Sequence, residues 1–256
     1  LLPLSFEETQ GLNAAARPET FLFKGFYPRI YDRDLEPSEA LSFYVATNLE
    51  RDVRQMIQVT DLSVFSQFLQ LCAGRCGQLL NLSALSNELG VTHPTVRSWI
   101  SILEASHIVK LLRPWHANIG KRLVKTPKLY FIDTGLACHL LGIERADQIK
   151  TRPLRGALFE NLIVAETLKQ RFNAGRPDNL YFYRDHKGNE VDLMLEYAEG
   201  YDCFEIKSAN TIQSSFFRGL DTFERDVGRT RHRHIVYAGA DTRTEKNTRI
   251  LPWHTL

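Results

Sequence analysis

The sequence predicts an α/β chain of mixed α+β type: a helical segment, a helix-turn-helix followed by two strands, and a terminal domain of αβββαβ order. Three observations predict it. Two short helical patterns meet at Gly90. Strand-like runs follow the second of them, on either side of a basic stretch. A long apolar-striped helix then leads into three strand runs, a helix-compatible stretch and a last strand run. The 256 residues, 43% of them hydrophobic, suit one large domain or two to three small ones. We divide them into 1–57, the tail of a preceding module with a helical linker, 58–132, the helix-turn-helix with its strands, and 133–256, the αβββαβ domain.

Residues 1–30 are short apolar pieces broken by Pro3, Gly11, Pro18, Gly25 and Pro28. They carry no initiating Met, no basic start and no small-residue cleavage site, so they read as part of something larger and not as a secretory signal. No apolar run is long enough to span a membrane. From Glu39 to Ile57, Leu41, Tyr44, Val45, Leu49 and Val53 recur at helical spacing, with Ser38 as the expected cap. A second helix is expected from Leu62 to Cys72, capped by Asp61. Cys72, Cys76, Cys138 and Cys203 complete no zinc pattern, and reduced, packed thiols of a cytoplasmic protein account for them.

The helix-turn-helix runs from Asn81. Ser83 is the expected cap of a short helix bearing Leu85 and Leu89, Gly90 ends it, and Thr92 caps the next, with Pro94 in its first turn. Val96, Ile100 and Leu103, with Trp99 beside them, form the buried stripe, which leaves His93, Thr95, Arg97 and Ser98 on or near the outer face. Strands are expected at Ile108–Leu112 and Lys128–Ile132, the arrangement of a winged helix whose wing carries Lys121, Arg122, Lys125 and Lys128. Net charge is only +2, but the six cations from Lys110 to Lys128 meet no acid. A second cluster, Arg229, Arg231 and Arg233, is as readily a solvated face. DNA contact is the leading reading of the helix-turn-helix, and a protein or dimer interface the other.

Asp133–Gly142 reads as a short helical link, and Arg155–Phe172 as a helix burying Leu158, Phe159, Leu162, Ile163, Ala165 and Leu168. Strands follow at Leu180–Arg184, Glu190–Glu196 and Asp202–Lys207, a helix near Ser214–Arg225 and a strand at His234–Ala238. Alternation puts Glu205 and Lys207 on one face of their strand, and Asp192 on one face of its own. With Glu199-Gly200 as the turn, Asp192 faces Lys207 and Met194 faces Glu205, so the polar three converge; a one-residue slip would separate them. Two carboxylates offer hard oxygen ligands to Mg²⁺, and a lysine beside them can orient a water or neutralise charge. Glu160, between apolar Phe159 and Leu162, is the expected fourth member; Arg184 and Glu190 are supporting residues. Asp192, Glu205 and Glu160 are thus the candidate metal ligands, and the same three with Lys207 the candidate catalytic set. Order and residues together resemble the PD-(D/E)xK restriction-endonuclease-like core, a fold that also serves non-catalytic proteins.

LLPLSFEE, LERDV, GKRLVKTPKLYFIDTGL, LRGALFENLIVAE, YFYRDHKGNEVDLML and FEIKS resemble a large prokaryotic family of P-loop ATPases of the AAA superfamily. Its members end in a restriction-endonuclease-like domain of unknown function, and LLPLSFEE is similar to the end of their ATPase module. The chain has no G-x-x-x-x-G-K-[ST]; Gly120-Lys121 is followed by Arg122. The resemblance therefore implies an ATPase module before Leu1 in a parent protein, and no nucleotide site or ATP hydrolysis in this chain. The expected partners are DNA and that module, with self-association left open and no membrane. The expected function is DNA binding with a Mg²⁺-dependent nuclease-like site; the alternative is a non-catalytic DNA-binding or protein-interaction platform of a regulatory ATPase.

Overall fold

The computed structural model describes residues 2–9, 17–49, 62–115 and 125–255. The expected cap Asp61 and the basic residues Lys121 and Arg122 lie outside them. The fold is mixed α/β, with a helical N-terminal part and, among the described residues, an eight-stranded mixed sheet in the order β2-β1-β3-β4-β5-β6-β8-β7. Its strands are β1 (Val109–Pro114), β2 (Lys128–Phe131), β3 (Leu180–Arg184), β4 (Glu190–Tyr197), β5 (Gly200–Lys207), β6 (Thr230–Tyr237), β7 (Arg243–Glu245) and β8 (Thr248–Pro252). Chain contacts gather into two compact units, Leu1–Leu111 with Leu129–Ala165, and Leu112–Lys128 with Glu166–Leu256. These cut the chain elsewhere than the three segments read from sequence.

The first unit opens with helices α1 (Phe6–Thr9), α2 (Pro18–Lys24), α3 (Pro28–Asp32) and α4 (Pro37–Tyr44). A proline begins each of the last three, where a missing N–H costs nothing. Glu36 and not Ser38 is the N-cap of α4, because Pro37 already fixes the first helical φ. The helix passes into a π turn at Val45–Leu49, and the rest of the expected 39–57 helix lies outside the described residues. Phe21, Leu22, Phe26 and Ile30 are buried, so the N-terminal pieces belong to this unit's core. Helices α5 (Leu62–Gly74), α6 (Leu82–Leu89) and α7 (His93–Ala105) follow. Trp99 packs edge-on against Phe65, with ring centroids 5.4 Å apart, and tilts against Phe68 at 5.1 Å.

Gly90 ends α6 in the left-handed conformation at φ 66°, and the Thr92 hydroxyl accepts from the Thr95 N–H at the start of α7, as expected. The cap of α6 is Asn81, two residues before the expected Ser83: its side chain accepts from the Ala84 N–H at 2.9 Å. Between α5 and α6, Gly77 N donates to Leu129 O and Leu129 N to Gln78 O, which ties this connection to β2. Helix α8 (Thr134–Leu140) occupies the expected link, and α9 (Arg155–Asn173) buries its apolar stripe as expected.

In the second unit β3, β4 and β5 form an antiparallel meander, a crossover through a 3₁₀ turn and helix α10 (Arg218–Val227) leads to β6 parallel to β5, and β8 lies parallel to β6. The αβββαβ order is that read from sequence. One face of this sheet packs Val191, Met194, Cys203, Ile235 and Ile250 against Phe217, Leu220 and Phe223 of the crossover. Trp115 joins them, edge-on to Tyr201 and Phe223. The β7–β8 hairpin was not expected; Lys246 and Asn247, at φ 47° and 58°, make its turn. All four cysteines are free and buried, and burial pushes the Cys72 thiol up to about 12. Among the described residues no helix is long and apolar enough to cross a membrane.

Candidate functional site

The β4–β5 hairpin carries the expected carboxylates and lysine, in a different register. Tyr197 pairs with Gly200, so Ala198-Glu199 and not Glu199-Gly200 make the turn. Leu193 then pairs with Phe204, two residues away from the expected pairing. The slip is two residues, so every side chain keeps its face. Gly200 is needed as the first strand residue: at φ 147° a Cβ there would stand 2.3 Å from Arg229 O.

Asp192, Glu205 and Lys207 meet on that face. Lys207 Nζ lies 2.6 Å from Glu205 Oε1 and 3.3 Å from Asp192 Oδ2. Asp192 Oδ2 also accepts from the Ile206 N–H at 2.8 Å, which pins the carboxylate across the strands. Burial pulls the Lys207 ammonium down, but the charges of Asp192 and Glu205 outweigh it and hold the group above the ordinary lysine value. The donors are carboxylate oxygens with a cation already seated on two of them, a set of hard oxygen ligands that could hold a metal ion.

Glu190 stands two residues before Asp192, and carboxylate oxygens of the two lie within 4.8 Å of each other. Lys128 pairs with Glu190 Oε1, and Arg184 reaches Glu190 Oε2 at 3.3 Å. Lys128 was expected on a DNA-facing surface. It is 3% exposed, its charge is met by Glu190, and its ammonium lies 5.5 Å from the Phe182 ring centroid, so it cannot offer itself to phosphate. Sequence reasoning missed Gly219, in the first turn of α10: a Cβ there would fall 1.8 Å from Glu190 O and 3.3 Å from Glu205 Oε2. Only glycine lets the start of α10 approach both acidic strands.

Glu160 belongs to the first unit. It sits half-buried on α9 and accepts a short hydrogen bond from the Tyr130 hydroxyl. Its neighbour Asn161, also missed, is fully buried: its Oδ1 accepts from Phe131 N at 2.7 Å and from the Cys76 thiol, and its Nδ2 donates to Phe131 O at 2.7 Å. The side-chain amide thus continues the backbone pairing of β2. Its signals in the sequence were a polar residue inside an apolar helical stripe and its place in the LRGALFENLIVAE stretch that carries the family resemblance.

On the outer side of α7, Arg97 and Ser98 are exposed, while His93 and Thr95 are half-buried. Lys125, the described part of the wing loop, is exposed. In the second basic cluster Arg233 pairs with Asp221 and Glu224, Arg231 lies near Asp202 and over the Tyr197 ring, and Arg229 lies over Tyr201.

Residues 16–147 match a family described as "Domain of unknown function (DUF8612)", and residues 155–256 one described as "Domain of unknown function (DUF4143)". Two uncharacterized proteins, of Mycobacterium bovis and Mycobacterium tuberculosis, are each 32% identical over 212 residues. Each match covers 82% of this chain and 47% of the relative, so the chain spans about half the length of the curated relatives it matches. No solved structure matches the chain.

Proposed function

The chain belongs to the family described as Domain of unknown function (DUF8612), whose match covers just over half its length, and from there we propose that it is the DNA-binding region of an ATPase-family protein, with a Mg²⁺-dependent nuclease-like site. One observation carries the reading: Asp192, Glu205 and Lys207 converge on one sheet face, with the ammonium seated on both carboxylates. The αβββαβ order around the hairpin supports a PD-(D/E)xK-type core, and α5, α6 and α7 followed by β1 and β2 support a winged helix. Asp192 and Glu205 would hold the metal, with Glu190 of the same unit as a further carboxylate beside them. Bound Mg²⁺ supplies Lewis-acid polarisation of a phosphoryl oxygen and acidifies a water. Lys207 would neutralise charge on the scissile phosphate or orient the water, and Arg184 would help to place the phosphate. The ATPase module is proposed as a partner from the family resemblance, and no nucleotide site is assigned to this chain.

Asp192→Ala and Lys207→Ala are each expected to abolish cleavage of plasmid or oligonucleotide DNA while leaving binding in gel-shift titrations intact. Retained cleavage in either variant removes the assigned site.

A second reading, a protein-interaction platform, is favoured by one observation: the exposed positions of α7, Pro94, Arg97, Ser98, Ser101 and Ala105, bring a single full charge. Arg97→Ala combined with Lys121→Ala separates the two readings. If the winged helix holds the duplex, removing two phosphate contacts lowers the slope of log affinity against log salt by about 2. Unchanged affinity and slope select the platform.

A further inference from the structure

We propose that Lys207 is the resident cation of the carboxylate site: its ammonium fills the gap between Asp192 and Glu205, and a divalent ion enters only as Lys207 leaves. The inference rests on the metal-site reading and adds how that site is controlled. The contacts argue for it. Lys207 Nζ is within 3.3 Å of Asp192 Oδ2 and 2.6 Å of Glu205 Oε1, so one ammonium bridges the two carboxylates that a metal would bridge. The same Asp192 oxygen is held by the Ile206 N–H, which keeps it aimed at that gap when the lysine moves away.

The neighbouring carboxylate offers no easier entry. Glu190 is met by Lys128 on one oxygen and by Arg184 on the other, and the Lys128 side chain is only 4% exposed. Lys207 differs: its side chain is 32% exposed, and its Nζ lies 6.0 Å from the Phe216 ring centroid. Of the two lysines, only Lys207 can trade places with an incoming ion. Swung outward, it would present its charge to a phosphate, so metal entry and phosphate capture would be one event.

The test is calorimetric titration of Mn²⁺ into the whole chain, for the wild type, Lys207→Met, Lys207→Gln and Lys207→Met with Asp192→Ala, each checked for folding by circular dichroism. Both single variants are expected to bind about tenfold tighter or more, because a competing charge a few ångströms from the ion is gone. The double variant is expected to lose the binding. Glutamine keeps a polar side chain between the carboxylates, so it reports even where methionine unfolds the hairpin. Mn²⁺ binding by both single variants that is no tighter than the wild type's overturns the lysine's role and leaves the metal site standing. No binding in any of the proteins overturns both.

Discussion

Gly219→Ala is expected to destabilise the protein by up to about 2 kcal/mol, although alanine is the better helix former. Two effects oppose each other. Alanine gains about 1 kcal/mol over glycine inside a helix. Against this, its Cβ would lie 1.8 Å from the Glu190 carbonyl oxygen, and overpacking of this kind costs about 1–3 kcal/mol, occasionally more. The obstacle is backbone, held in the β3–β4 ladder through the Arg184–Glu190 pairing, so it cannot rotate aside as a flexible side chain would. The helix must retreat instead, and with it the contact to Glu205 Oε2. Urea unfolding should show a lower midpoint, and Mn²⁺ titration a weakened site. Gly74→Ala is the control. That residue ends α5 with nothing within 4 Å of its would-be Cβ, so the substitution should stabilise by about 0.5–1 kcal/mol. If the two variants behave alike, the close approach of α10 has no energetic weight.

The contrast between those glycines shows what could be read from the sequence and what could not. The order of elements was legible because it rests on local patterns: apolar spacing in α7 and α9, alternation in β4 and β5, and Gly90 at a helix end. The shared face of Asp192, Glu205 and Lys207 was legible for the same reason, and it survived a misplaced turn because an even slip preserves faces. The misplacement itself has a physical cause. Glycine in a short loop reads as a turn residue, but Gly200 is required by the Arg229 carbonyl lying against it, a contact made from far along the chain. Lys128 was misread in the same manner. Its cationic neighbours suggested a phosphate surface, whereas Glu190, which buries its charge, comes from a distant strand. The β7–β8 hairpin escaped notice because its first strand, Arg243–Glu245, is three polar residues with no alternation to detect. Caps fall between the extremes: both Asn81 and Ser83 are competent, and only geometry selects the first.

Asp133→Ala is expected to cost about 2–6 kcal/mol, because it strips two buried N–H groups, one of them the first-turn N–H of α8 that it caps, of their acceptor at about 1–3 kcal/mol each. Asp133 is 1% exposed. Its Oδ2 accepts from Phe26 N at 2.6 Å, and its Oδ1 from Leu136 N at 2.8 Å, at the start of α8. Two glycines make the approach possible. A Cβ on Gly25 would strike the Asp133 carboxylate at 2.4 Å, and one on Gly135 would meet the Gly25 backbone at 2.8 Å. The Asp133-Thr134-Gly135 motif therefore joins the N-terminal helices to α8 within the first unit, and this structural task accounts for a carboxylate that composition alone would nominate for chemistry. Asp133→Asn sharpens the point: its amide oxygen can serve one of the two N–H groups, but its nitrogen then opposes the other, so it recovers at most about half of the loss. Chemical denaturation followed by circular dichroism measures both variants. A cost below about 1 kcal/mol for Asp133→Ala would mean that water replaces the carboxylate and that the motif's value lies elsewhere. Mn²⁺ affinity below the unfolding transition should stay at the wild-type value, since Asp133 belongs to the first unit and the carboxylate–lysine hairpin to the second.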